Sequence, residues 1–108
     1  MPDYYEPKPP AEKAYVVAAQ IRGSQPLLNM EDSLNELEKL AQTAGMEIVG
    51  RATQMLNKVD NATFIGSGKV GEIKLDLEIT GAQVVIFDDE LSPRHQRELE
   101  KHFGESIK

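Results

Sequence analysis

Strand-like runs and helical stripes alternate along most of this 108-residue chain. Runs in which β-branched and aromatic residues favour strands occupy 15–19, 47–54, 63–65 and 84–87. Between most of these runs, apolar residues recur every three or four positions, which indicates helices with one buried side. Because strands joined by helices pair in parallel with right-handed crossovers, this pattern predicts an α/β fold. We expect a small parallel β-sheet of three to four strands with helices on both faces, in the order βαβαβα.

Residues that favour helix ends stand on both sides of the helical stripes. Asn29 and Ser92 are candidate N-caps, and Pro93 suits the first turn of the third helix. Glycines that can end a helix follow the three stripes at 45, 81 and 104. The residues expected on the buried sides are Leu34, Leu37, Leu40, Ala41 and Ala44, then Val70, Ile73 and Leu77, then Leu99 and Phe103.

Composition divides the chain into a short arm and one domain. Residues 1–13 hold four of the six prolines, which predicts a flexible, solvated arm. The remainder, 14–108, is long enough for one α/β domain and too short for two cores. By the rhythm of the pattern, residues 105–108 would begin another strand, so we expect the chain to be a fragment of a longer protein.

Charge and residue usage exclude several classes of protein. Twelve Lys and Arg against 18 Asp and Glu give a net charge of -6, so nucleic acid would have to be contacted through a local basic patch. With no cysteine and only two histidines, no metal site is expected. No apolar run approaches the roughly 20 residues that span a bilayer. This composition suits the cytoplasm.

A glycine turn lies between a strand-like triplet and a helical stripe. Gly66, Gly68 and Gly71 form a GxGxxG pattern, and Asp88 follows 22 residues after Gly66, as in dinucleotide-binding folds. Against this interpretation, the preceding triplet is short and follows two earlier elements. The structural alternative is a turn in which Gly66 or Gly68 adopts a positive φ and lets the helix approach the sheet closely. On that alternative, Gly68→Val is expected to destabilise the domain.

The same turn ends in Gly68 and Lys69, as a phosphate-binding loop does. A complete phosphate-binding loop would need glycine where Thr63 stands and a magnesium-binding hydroxyl where Val70 stands. Both are missing, so Lys69 stays a candidate contact for phosphate or rRNA, without a nucleotide-hydrolysing motif around it.

Three consecutive acids, Asp88, Asp89 and Glu90, follow the strand predicted at 84–87, which we expect to be central in the sheet. Ligands bind at this end of open α/β sheets, and clustered carboxylates can hold a hard cation. A phosphate-accepting receiver domain would need further acids after the first strand, and none stands there. The simpler alternative is that these are solvated loop acids beside helix N-termini.

His95 and His102 lie seven residues apart on the third helix. This spacing is too long for the i, i+4 pair of histidines that binds a metal. Both are expected at surface or half-buried positions. Without cysteine or a nucleophile elbow there is no candidate for nucleophilic catalysis, so these residues predict no enzyme.

Two blocks of sequence resemble a known family. The first block is residues 63–70 with Glu72. The second block is residues 85–93 with the polar and apolar positions at 96–97 and 99–100. Both blocks are similar to the N-terminal domain of HflX-type ribosome-associated GTPases. The similarity runs in register from about 14 to 107. It implies a cytoplasmic protein that binds the large ribosomal subunit and acts in ribosome splitting or rescue. GTP and magnesium would belong to the family's GTPase domain, which is absent here, so no cofactor and no GTP hydrolysis are expected of this chain.

Two functions therefore compete. A ribosome-docking module would contact rRNA phosphates through a basic face, for which the candidate residues are Lys69, Arg94, Arg97 and Lys101. A small nucleotide-binding domain would hold ATP at the turn made by Gly66, Ser67, Gly68 and Lys69, where the resemblance also implies a second nucleotide site.

The second helix carries an apolar pair outside its buried stripe. Leu75 and Ile79 point roughly 140 to 180 degrees away from Val70, given 100 degrees of rotation per residue. Scattered exposed leucines are common, but two at i, i+4 favour an interface. We expect this pair to meet the missing partner domains, including the GTPase domain, or another copy of the chain.

Overall fold

The computed structural model describes residues 11–23, 29–89 and 91–104. Its elements, in chain order, are β1 (Lys13–Ile21), α1 (Met30–Thr43), β2 (Glu47–Leu56), α2 (Ser67–Thr80), β3 (Val84–Phe87) and α3 (Pro93–Phe103). The strands form one parallel sheet in the order β2-β1-β3. The predicted α/β class and the βαβαβα order are confirmed.

The sheet has three strands in the described part of the chain, and the strand predicted at 63–65 is wrong. Phe64 has a positive φ of 68° and makes only an isolated antiparallel bridge to Asp60, so these residues form a turn. β3 is also an edge strand of this sheet, whereas we expected a central one. The predicted arm overlaps β1, which begins at Lys13. Residues 1–10 of that arm and the further strand predicted at 105–108 lie outside the described residues.

β1 is the central strand and is buried on both faces. One face packs a cluster of Val16, Ala18 and Leu34 under α1. The other face packs a larger cluster under α2 and α3, whose buried members are Tyr15, Val17, Ile65, Val70, Ile73, Val85, Phe87 and Leu99. Helices therefore cover both faces of the sheet, as predicted. None of the helices within the described ranges is long and apolar enough to cross a membrane.

The predicted helix ends are present. Asn29 Oδ1 accepts a hydrogen bond from the Asp32 N–H at 2.8 Å, and Ser92 Oγ accepts one from the His95 N–H at 3.2 Å. Gly81 ends α2 in the left-handed region, at φ 71°. Leu40, expected in the buried stripe of α1, is 63% exposed instead. It lies about 120 degrees around the helix from Leu34, which is beyond the width of the buried stripe.

The ring of Tyr15 lies against the backbone of β2. A Cβ added to Gly50 would stand 2.7 Å from Tyr15 Cε2 and 2.8 Å from Cδ2, so no larger residue fits without a shift. The β1–β2 register jumps at this point, because Ala14 pairs with Ile48 and Tyr15 pairs with Gly50. The Tyr15 hydroxyl donates to Asp76 Oδ2 at 2.7 Å, which links the central strand to α2. Burial, followed by the Asp76 hydrogen bond, raises the pKa of Tyr15.

Candidate functional site

The loop between β2 and α2 is organised by one carboxylate. Asp60 Oδ1 accepts hydrogen bonds from the backbone N–H groups of Ala62, at 2.8 Å, and Thr63, at 3.1 Å. These bonds hold the pKa of Asp60 below its usual value, the one from Thr63 contributing most. Buried Thr63 turns its hydroxyl inward and donates to the Ile65 carbonyl at 2.6 Å. The result is a tight turn in which Phe64 takes a backbone conformation unusual for an aromatic residue.

His95 ties α3 to this loop. Its Nε2 lies 3.1 Å from the Asp60 carbonyl oxygen, and its Nδ1 lies 2.9 Å from Ser92 Oγ. Because a carbonyl oxygen only accepts, we assign the ring proton to Nε2. The ring also meets Phe64 edge to face, at 5.4 Å between centroids. His95 is half-buried, as expected, but its role in joining the two segments was missed. The Ser-Pro-x-His spacing indicates the backbone cap, and carries no signal for a contact 35 residues away. His102 is exposed in the last turn of α3.

The glycine turn differs from the predicted conformation. Gly66 is the N-cap of α2 at φ -64° and ψ 151°, and Gly68 and Gly71 lie within the helix. A Cβ added at Gly68 or Gly71 would meet no atom within 4 Å, so close packing against the sheet does not require either glycine. The prediction of a positive φ at Gly66 or Gly68 is wrong, and so is its basis for expecting Gly68→Val to destabilise. The residue with a positive φ is Phe64.

A polar side chain from β2 holds the start of α2. The Gly66 N–H donates to Gln54 Oε1 at 2.9 Å, while no side chain caps the helix in the usual way. A Cβ on Gly66 would lie 3.2 Å from Gln54 Nε2, so the close neighbour of this glycine is a flexible side chain. This contact was not predicted from the sequence.

The two nucleotide-binding patterns lack their structural context. A dinucleotide fingerprint requires a strand directly before the glycines, and the structure places a turn there. At the position of the magnesium-binding hydroxyl, Val70 is buried in the core under α2. Asp88, the acidic residue of the dinucleotide fingerprint, follows the edge strand β3 and is exposed.

The candidate cations lie on two helices. Arg94, Arg97 and Lys101 are exposed along one stripe of α3, at i, i+3 and i+7. Lys101 Nζ forms an ion pair with Glu98 at 3.0 Å. Lys69, near the start of α2, forms its ion pair with Glu72 on the same helix at 2.8 Å. The structure therefore groups three of the four predicted basic residues on one stripe. Whether they bind rRNA stays a prediction.

The loop acids after β3 have separate surroundings. Asp89 Oδ2 accepts a hydrogen bond from the Ala19 N–H at 3.0 Å, so its side chain continues the pairing with β1 beyond the end of β3. Burial raises the pKa of Asp89. Asp88 is exposed, and Glu90 lies outside the described residues. Within the described ranges, no group of three or more His, Cys, Asp or Glu side chains is arranged to hold a metal ion.

Comparison with known proteins adds the deciding observation. The family model described as "GTP-binding GTPase N-terminal" matches residues 31–108. The chain belongs to this family. Together with the relatives named GTPase HflX, this match confirms the predicted resemblance to the N-terminal domain of HflX-type GTPases.

Curated relatives of this GTP-binding GTPase N-terminal domain carry the name GTPase HflX. The protein from Alkalihalophilus pseudofirmus is 43% identical over 77 residues, which cover 71% of this chain and 18% of the relative. The protein from Flavobacterium psychrophilum is 37% identical over 90 residues, covering 83% of this chain and 22% of the relative. The protein from Escherichia coli is 41% identical over 73 residues, which cover 68% of this chain and 17% of the relative. The chain thus spans about a fifth of the length of these relatives.

Proposed function

We propose that this domain is the ribosome-docking N-terminal module of an HflX-type GTPase and contacts rRNA of the large ribosomal subunit. Membership of the GTP-binding GTPase N-terminal family supports the assignment to such a GTPase. The observation that carries the docking surface is the exposed stripe of Arg94, Arg97 and Lys101 on α3. In the whole protein, docking would act together with the GTPase domain in ribosome splitting or rescue, in the cytoplasm.

The charge distribution favours docking through a small area. With a net charge of -6, the chain as a whole repels polyphosphate, and a stripe of cations provides local attraction. The three cations lie within about 60 degrees around α3, on the side away from buried Leu99. Since each phosphate neutralised releases counterions, binding through this stripe should weaken steeply as salt rises.

A matched pair of charge reversals tests this surface. Arg97→Glu changes the α3 stripe, and Lys39→Glu makes the same type of change on exposed α1, across the sheet. We expect Arg97→Glu to weaken binding to isolated large subunits by about tenfold at low salt and Lys39→Glu to weaken it by less than about twofold. Equal losses would mean that net charge, and not this stripe, determines binding.

We also propose that this chain by itself does not hydrolyse GTP, and that GTP and magnesium bind the GTPase domain of such proteins. The support is local: Thr63 turns its hydroxyl toward the Ile65 carbonyl, and Val70 packs in the core where a magnesium-binding hydroxyl would stand. Release of phosphate from GTP by the purified chain should match the background. Release that disappears in Lys69→Ala would contradict the proposal.

A second candidate function is binding of ATP at Gly66, Ser67, Gly68 and Lys69. It is favoured by the absence of a capping side chain at the start of α2, which leaves first-turn N–H groups available to an anion. The Lys69–Glu72 ion pair places a carboxylate beside the same turn and opposes it. Calorimetric titration with ATP and with large subunits, at two salt concentrations, separates the candidates. Binding of ATP alone that is lost in Lys69→Ala supports the second.

A further inference from the structure

One carboxylate lies against the cationic stripe of α3. Glu98 Oε1 accepts a hydrogen bond from Lys101 Nζ at 3.0 Å, and the two residues are three positions apart on the helix. Glu98 also follows Arg94 by four residues, a spacing that makes two side chains neighbours on a helix surface. A single anion therefore lies beside two of the three cations proposed to contact rRNA.

The surroundings of Glu98 keep its side chain ionised. The hydrogen bond from Lys101 and the charge of Lys101 hold the pKa of Glu98 below its usual value, and the charges of Arg94 and His102 act in the same direction. Arg97, by contrast, forms no ion pair with any residue that the structure describes. The three cations of the stripe are therefore not equivalent in the free chain, because an internal anion already neutralises one side of the stripe.

We propose that Glu98 is an internal competitor for RNA phosphate, which a phosphate must displace before it can contact Lys101. The inference rests on the proposed contact between α3 and RNA, and it names the residue that limits the affinity of that surface. Carboxylate and phosphate oxygens both accept charge-assisted hydrogen bonds from an ammonium group, so they compete for the same donor. Because an exposed ion pair is weak, this competition lowers the affinity without abolishing binding.

The competition affects which partner the stripe selects. With Lys101 occupied by Glu98 and a net charge of -6, an RNA strand that meets α3 alone gains little from binding. A partner that also contacts other parts of the domain can offset the loss of the Glu98–Lys101 pair. Since selectivity is a difference between affinities, Glu98 favours a large, structured RNA surface over free RNA.

Removal of the Glu98 charge should strengthen binding to isolated large subunits. Arg97→Glu changes the charge of the stripe by two units and is expected to weaken binding about tenfold, so the one-unit change in Glu98→Gln predicts a gain of about three- to fivefold at low salt. The control is Glu72→Gln, because Glu72 forms the matching i, i+3 ion pair with Lys69 on α2 at 2.8 Å. It changes the net charge equally and should alter the affinity by less than about 1.5-fold. Equal gains from the two variants would overturn the proposal.

A double-mutant cycle separates competition from simple repulsion. If Glu98 acts by occupying Lys101, the gain from Glu98→Gln should fall to less than about twofold in a chain that carries Lys101→Gln. If Glu98 only repels phosphate, the gain will be the same in both backgrounds, and that result would overturn the proposal. The gain should also shrink at high salt, which screens exposed charges.

A labelled single-stranded RNA of mixed sequence distinguishes failure of this inference from failure of the proposed function. Fluorescence anisotropy at low salt should show tighter binding by Glu98→Gln than by the unmodified chain, and no gain for Glu72→Gln. That order with RNA, without any binding to large subunits, would support the competitor and contradict ribosome docking. Weaker binding of Arg97→Glu to large subunits, without a gain for Glu98→Gln, would support docking and overturn the competitor.

Discussion

The two faces of the sheet are held by different kinds of interaction. Under α1, three buried residues form a small cluster, and the rim is fastened by Arg51, whose guanidinium contacts Glu31, Glu38 and Asn35. Under α2 and α3, eight buried residues form the larger cluster, and the polar link from Tyr15 to α2 starts within that core. The residues that resemble the family motifs precede or belong to α2 and α3. The face with the larger core therefore forms the platform that positions the candidate site.

The largest loss of stability is expected from adding one methyl group to β2, beside the larger core. Gly50→Ala should lower the free energy of unfolding by about 1–3 kcal/mol, because its Cβ would overlap the Tyr15 ring in a packed core. Gly71→Ala is the matched control, since its Cβ enters open space on a helix and should raise stability by about 0.5–1 kcal/mol. Urea unfolding at low protein concentration measures both. Equal effects of the two substitutions would show that the Tyr15 ring does not exclude a larger side chain at position 50.

The loop carboxylate should have the next largest effect and a characteristic pH dependence. Asp60→Ala should lower the free energy of unfolding by about 0.5–2 kcal/mol at neutral pH, as the loss of other capping side chains does. Because the folded-state pKa of Asp60 lies below its unfolded value, its contribution is present above the unfolded pKa, about 4. It is lost as pH falls through the folded pKa.

Asp89 should behave in the opposite way. Its pKa is raised by burial, so its contribution is present below the unfolded pKa and is lost as pH rises through the folded pKa. Unfolding experiments between neutral and acid pH should show that Asp60→Asn reduces the acid loss of stability and that Asp89→Asn increases it. The same direction of change in both variants would contradict the assigned environments.

Removal of the Tyr15 hydroxyl should have a smaller effect. Tyr15→Phe keeps the ring over Gly50 and loses the hydrogen bond to Asp76, which should lower the free energy of unfolding by about 0.5–1.5 kcal/mol. Since the pKa of Tyr15 is raised, one of the three tyrosines of the chain should ionise later than the others in an ultraviolet titration. That late step should be missing in Tyr15→Phe. If it persists, the raised pKa belongs to another tyrosine.

The smallest effect is expected at the rim of the α1 face. Arg51→Met keeps much of the aliphatic chain and removes the ion pairs to Glu31 and Glu38, so stability should fall by no more than about 1 kcal/mol. Much of this loss should vanish in high salt, which screens exposed charges. A larger loss of stability that does not depend on salt would show that the α1 face contributes as much to stability as the α2–α3 face does.

The elements with local signals could be predicted from the sequence. Val84–Phe87 is a strand as expected, and Asn29 and Ser92 cap their helices, because these features depend on a few neighbouring residues. The segment 63–65 has strand-like composition and still forms a turn, because Asp60 accepts a hydrogen bond from the Thr63 N–H and the ring of His95 packs against Phe64.

The candidate site was only partly predictable for the same reason. The outward orientation of Leu75 follows from helical periodicity alone, and the cationic stripe of α3 follows from spacing. By contrast, the environments of Gly66 and Asp89 depend on contacts with distant parts of the chain. A GxGxxG pattern does not say whether the backbone around it forms a strand or a turn, and three consecutive acids do not say which one is used to bind β1.

In the proposed docking, α3 and not α1 meets the large ribosomal subunit. Hydrogen exchange measured by mass spectrometry, on the chain alone and with an excess of isolated large subunits, tests it most directly. We expect slower exchange in peptides from α3, which carry Arg94, Arg97 and Lys101, and unchanged exchange in peptides from α1. Protection confined to α1, or no protection of either helix under conditions where the chain is bound, would contradict it.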